Sequence, residues 1–192
     1  MSEKNKKETR YGHMGTTYYF LPTRNLFGED SVQEAGTLLQ SLGGKKAMIV
    51  TDSFLATSGM AEDIQKILTE AGVESVIFGG AEPNPKDTNV EDGLKVFNEN
   101  ECDSIISLGG GSSHDCAKAI AFLSINDGDI NDYIYNRLQS DKALPLILIP
   151  TTCGTGSEGN GFAVLTNPEN GDKKSYVVMQ SLQKYPLLIQ NA

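Results

Sequence analysis

Two short stretches of this sequence concentrate small, polar and flexible residues in a pattern suited to holding an anion. The first is Gly109-Gly110-Gly111-Ser112-Ser113-His114-Asp115, between the apolar run Ser104–Leu108 and a helical run ending at Leu123. Three glycines remove Cβ atoms where the chain must turn from strand to helix, so backbone and ligand can approach closely. The first helical turn then offers unpaired N–H groups and a partial positive charge, which suit a phosphate. The stretch matches neither G-x-G-x-x-G nor G-x-x-x-x-G-K-[ST]. A plain glycine turn with a helix cap accounts for the same residues, Ser112 and Asp115 forming a capping box.

The second stretch is Pro150-Thr151-Thr152-Cys153-Gly154-Thr155-Gly156-Ser157-Glu158, after the apolar Leu146–Ile149. Its hydroxyls and glycines can wrap a pyrophosphate or a ribose, or simply cap their own backbone in a turn. Asp52, one residue beyond the run ending at Thr51, can accept hydrogen bonds from an adenosine ribose and repel a 2′-phosphate. It can equally cap the segment that follows. His13 and His114, the only histidines, each read as ordinary surface or loop residues, and Cys102, Cys116 and Cys153 as small buried hydrophobes. No H-E-x-x-H or paired-cysteine spacing marks a metal site.

An alternating framework positions these loops. Thr17–Leu21 is β-prone, and Val32, Ala35, Leu38, Leu39 and Leu42 recur at helical spacing before Gly43-Gly44. Ala47–Val50 is a short continuous apolar run of the kind buried on both faces of a parallel sheet. Helices are expected over Met60–Glu70, Val90–Asn98 and Ser112–Leu123, and strands over Ser75–Phe78, Ser104–Leu108, Leu146–Ile149 and Phe162–Thr166, with Asn167-Pro168 turning the chain. Strand and helix alternation with Gly- and Pro-marked loops predicts an α/β domain around a parallel sheet.

With 16 basic and 25 acidic side chains in 192 residues, the net charge is −9. That excess repels a nucleic-acid backbone and argues against such a partner. No run approaches the roughly 20 apolar residues of a membrane span. The first ten residues lack the apolar segment of a secretory signal, so a cytoplasmic protein is expected.

Taken together, the loops resemble those of the iron-containing (group III, metal-dependent) alcohol dehydrogenase family. The matching segments are Val50-Thr51-Asp52, Pro83-Asn84-Pro85, GGGSSHDCAKAIA at 109–121, PTTCGTGSE at 150–158 and FAVLTNPENGDKKS at 162–175. The resemblance implies a Rossmann-like, doubly wound, mainly parallel sheet of the dehydroquinate-synthase type that binds NAD. It further implies hydride transfer between a primary alcohol, or its aldehyde, and the nicotinamide, with a metal Lewis acid. Gly110, Gly111 and Ser112 would hold the pyrophosphate, and Asp115 would lie near the nicotinamide end. Asn84 would line the site. Thr151, Thr152 and Thr155 would contact phosphates and the nicotinamide ribose, Lys173 the ribose hydroxyls, and Asp52 would favour NAD over NADP. Many relatives read G-S-E-V-T where this chain has Gly159-Asn160-Gly161; Asn160 still donates and accepts hydrogen bonds. Glycerol dehydrogenases are the nearest alternative, and are expected to lack the 150–158 wording.

The division expected from the resemblance is a polar arm at 1–15, a cofactor domain at 16–175, and a divergent tail at 176–192. The tail would stand where the family has a helical domain with Asp and His ligands for iron or zinc. On that reading the chain is a truncated member, a fragment or a frame-shifted product, catalytically inactive alone. Uncovered apolar surface would then favour a homo-oligomer or other self-association.

Overall fold

The short apolar runs lie side by side because their two faces must both be covered. In the computed structural model, which describes residues 24–133, 144–168, 170–177 and 186–191, the elements in chain order are β1 (Arg24–Gly28), α1 (Ala35–Ser41), β2 (Lys46–Val50), α2 (Met60–Glu70), β3 (Glu74–Phe78), α3 (Asp87–Glu99), β4 (Ser104–Gly109), α4 (Gly111–Leu123), β5 (Leu146–Pro150), β6 (Phe162–Thr166), β7 (Lys173–Val177) and β8 (Pro186–Asn191). Six strands form one sheet in the order β1-β8-β5-β4-β2-β3. Every pairing in it is parallel, with Ile49 opposite Ile106 and Ile106 opposite Ile147 at its centre. The expected α/β doubly wound architecture is the one observed. The expected Thr17–Leu21 strand, polar arm and His13 lie outside the described residues.

Period-two alternation sorts each central strand onto two cores. Met48, Val50, Ile105, Leu146 and Leu148 pack on one face beneath α3 and α4, with Val90, Phe97, Ile120 and Phe122. Ala47, Ile49, Ile106, Ile147 and Ile149 pack on the other beneath α1 and α2, with Leu39, Ile64 and Leu68. Both faces covered is the condition a parallel sheet requires.

The structure departs from the sequence expectation at the edges. The helix expected after Gly28 starts as a 3₁₀ turn, Ser31–Glu34, before α1. Asp30 makes no side-chain cap there, and tighter hydrogen bonding serves instead. The strands β1, β7 and β8 were not expected: β1 is an edge strand whose residues are largely exposed, and β7 opens with two lysines. Phe162–Thr166 is a strand as expected, but it pairs antiparallel with β7 in a separate hairpin. The expected boundary after Ser175 falls inside β7, and β8 lies within the sheet between β1 and β5.

The chain leaves β2 toward β3 on one side and returns to β4 on the other, so β2 and β4 flank the switch point where open α/β sheets bind ligands. Ile147, fully buried on a central strand, tests the framework. Ile147→Ala is expected to lower unfolding free energy by about 2–5 kcal/mol in urea denaturation.

Candidate functional site

At the carboxyl edge of the sheet, the loops after β2, β3, β4 and β5 converge. Their closeness is fixed by missing side chains. A Cβ on Gly110 would meet Thr152 Oγ1 at 2.9 Å, and one on Gly111 would meet Thr155 Cγ2 at 2.8 Å. Gly109 adds a φ of 145°, which side-chain-bearing residues rarely adopt, and a Cβ there would meet Ser113 Oγ at 2.5 Å. Glycine is thus what lets the β4–α4 turn lie against the β5 loop. Helix α4 begins at Gly111, with Gly110 as N-cap and no side-chain cap. The first-turn amides of Gly111, Ser112 and Ser113 have no intrahelical acceptor.

Two adjoining cavities share Gly111 and Ser112. One, of about 580 Å³, is also lined by Asp52, Gly110, Thr151 and Thr152, with Phe54 and Gly80. The other, of about 450 Å³, is also lined by Asn84, Asp115, Thr155, Asn160 and Lys173. All eleven residues singled out in the sequence therefore border one or the other, with the helix N-terminus as the common rim.

Their side chains are differently engaged. Asp52 accepts hydrogen bonds from the Phe54 and Leu55 amides at 2.9 and 3.0 Å, both through Oδ1, so it does cap the following segment. Asn84, at a φ of 54°, accepts 2.6 Å from Lys173 Nζ across the second cavity. The strain of a left-handed, non-glycine residue is held by the rigid Pro83 and Pro85 around it, and Pro85 accepts from the Thr166 amide at 2.8 Å. Asp115 forms no capping box with Ser112. Its Oδ1 pairs with Lys118 at 3.0 Å and accepts from Ser157 Oγ, while Oδ2 accepts from the Val164 amide at 3.1 Å. Asn160 Oδ1 accepts from the Phe162 amide at 2.9 Å, and its Nδ2 donates to Gly156 O.

Three residues to which the sequence assigns no specific role in the site also shape it. Lys118 is fully buried and donates to the Ser157 carbonyl at 2.8 Å and to the Phe162 carbonyl. A single lysine inside Cys116-Ala117-Lys118-Ala119-Ile120, three residues after an aspartate, was the available signal: a buried charge must have a partner. Ser157 is buried and links Asp115 to the second loop. His114 is not a surface residue but fully buried, with Nδ1 2.8 Å from Ser107 Oγ on β4. Burial, with the Lys118 charge nearby, pushes its pKa down to about 3. Cys102 and Cys116 are buried as expected; Cys153 is exposed.

His114 makes stability depend on pH. Its folded pKa lies below the unfolded value of about 6.5, so between those values the unfolded chain binds the extra proton. The stability this linkage contributes is fully present above pH 6.5 and is lost as pH drops toward 3. His114→Asn, which keeps a donor or acceptor for Ser107, is expected to flatten the decline of the urea midpoint between pH 6.5 and 4.

The iron-containing alcohol dehydrogenase family model matches residues 22–188. The chain is 45% identical over 151 residues to an NAD-dependent methanol dehydrogenase of Bacillus methanolicus, covering 79% of this chain and 40% of that protein. Its fold matches a crystal structure of 1,3-propanediol oxidoreductase with a TM-score of 0.84 and 41% identity, over 92% of this chain and 46% of that one. It also matches a sulfoacetaldehyde reductase from Bifidobacterium kashiwanohense in complex with NAD+, with a TM-score of 0.82 and 31% identity, over 92% and 46%. The chain thus spans less than half the length of these relatives. From the glycine cradle, the parallel sheet and the matched sequence together, the chain belongs to the iron-containing alcohol dehydrogenase family.

Proposed function

We propose that these residues form the nucleotide-holding half of an NAD-dependent dehydrogenase acting on a small primary alcohol or its aldehyde. The observation that carries this reading is the shared rim: Gly111 and Ser112 border both cavities, so a diphosphate at the α4 N-terminus has a lobe for one nucleoside on each side. Amides of the first helical turn and the hydroxyls of Thr151, Thr152 and Thr155 are donors of the kind a diphosphate accepts. Asp52 borders the lobe suited to adenosine, where one carboxylate oxygen is held by two amides. Asn84 and Lys173, already bonded to each other, border the lobe suited to the nicotinamide ribose, and Lys173 supplies donors to its hydroxyls. When bound there, the nicotinamide supplies the hydride acceptor for alcohol oxidation. The chain's own part is to bind and orient that ring by fixing the diphosphate beside it.

Among the described residues no three His, Cys, Asp or Glu side chains gather where a metal ion could be held, so no step here runs through one. No helix among them is long and apolar enough to cross a membrane.

NADH is expected to bind saturably, read as enhanced nicotinamide fluorescence, and NADPH more weakly. Asp52→Asn keeps an acceptor for the two amides and removes the charge facing a 2′-phosphate. It is expected to narrow the NADH preference several-fold, and equal affinities in the unaltered protein would remove Asp52 from the account. Residues 1–192 alone, given NAD, a primary alcohol and Fe2+ or Zn2+, are expected to turn over negligibly. Steady NADH production at a metal stoichiometry near one would show that this half carries the reaction by itself.

A further inference from the structure

Lys118 lines neither of the two cavities, yet it is bonded to much of the wall of one. Its side chain is 0% exposed. Its Nζ lies 2.8 Å from the Ser157 carbonyl, 3.3 Å from Asn160 Oδ1 and 3.0 Å from Asp115 Oδ1, and it also donates to the Phe162 carbonyl. Four oxygens around a group that only donates are the surroundings of an ammonium cation, and such charge-assisted hydrogen bonds are the strong ones. Asp115, the counter-charge, reaches further along the same wall through Ser157 Oγ and the Val164 amide.

Every one of these partners borders the cavity that contains Asn84 and Lys173: Asp115, Ser157, Asn160, Phe162 and Val164. None borders the cavity that contains Asp52. Three of the four oxygens come from the six-residue segment 157–162, which runs from the 3₁₀ turn Ser157–Gly159 into β6. One cation on α4 therefore fixes where the second loop ends and where the hairpin begins.

We propose that Lys118 is a positioning residue that sets the shape of one lobe of the site and leaves the other untouched. Resting on the dinucleotide reading above, this makes the grip on the nicotinamide half dependent on a buried charge, while the grip on the adenosine half depends on the sheet and the glycine turn. Lys118 acts through Asp115, Ser157 and Asn160, not by contact with the ligand.

The test uses the full chain with NADH, which spans both lobes, and AMP, which fits the Asp52 lobe alone. Lys118→Met is expected to raise the Kd of NADH at least tenfold and to change that of AMP less than twofold. Hydrogen exchange at the Val164 amide, held by Asp115, is expected to accelerate while the Leu55 amide, held by Asp52, stays protected. The double variant Lys118→Met/Asp115→Asn removes the stranded carboxylate and carries the same comparison if the single variant does not fold. Equal weakening of NADH and AMP would reduce Lys118 to a general support of the fold and overturn the proposal. So would unchanged NADH binding with unchanged exchange at Val164. If the unaltered protein binds neither nucleotide, the dinucleotide reading fails, and exchange at Val164 still decides whether Lys118 positions this wall.

Discussion

A parallel sheet sends its strand exits to one edge, and here two of those exits come closer than side chains permit. The turn after β4 and the loop after β5 meet at Gly110–Thr152 and Gly111–Thr155, where a Cβ would stand within 3 Å of its neighbour. Close approach of the glycine backbone to the threonine side chains of the second loop is what sets one helix N-terminus beside two cavities at once. Widen that contact by a methyl group, and the hydroxyls of the second loop no longer converge on the unpaired amides of the first. The sheet, its two apolar cores and the order of its strands all serve to hold that narrow contact in place.

The centre of this arrangement was legible in the sequence, and its periphery was not. Runs such as Ala47–Val50 and Leu146–Ile149 announce themselves because a strand buried on both faces has no polar alternation to disguise it. Helix α2 matches its expected bounds, since its apolar stripe of Ala61, Ile64 and Leu68 meets a clean stop at Gly72. Edge strands carry weaker signals: β1 has only one side to pair, and Lys173-Lys174-Ser175 reads as a polar loop until Tyr176 is seen buried at its end.

The site shows the same division. Its glycines and hydroxyls stand out because composition alone marks a pliable, donor-rich loop. Which of several compatible roles each residue plays is a matter of long-range contact, and the sequence leaves that open. Asp115 could have capped its own helix; it turns instead to a lysine one turn on and to residues more than forty positions away. His114 sits in a polar-looking stretch and is nonetheless sealed against β4.

The β6–β7 hairpin stands apart from the six-stranded sheet. It is held by a bridge from Lys86 to Thr166, by Lys118 and Asp115 of α4 on Phe162 and Val164, by Lys173 on Asn84, by Asn131 contacts to Lys174 and Tyr176, and by packing on α4. The two sides of the cleft consequently rest on different foundations: one on the strand ladder of the central sheet, the other on a hairpin joined to it through buried side chains such as Ala163, Leu165 and Tyr176. A molecule spanning both sides would thus lie between backbone hydrogen bonding on one hand and side-chain packing on the other.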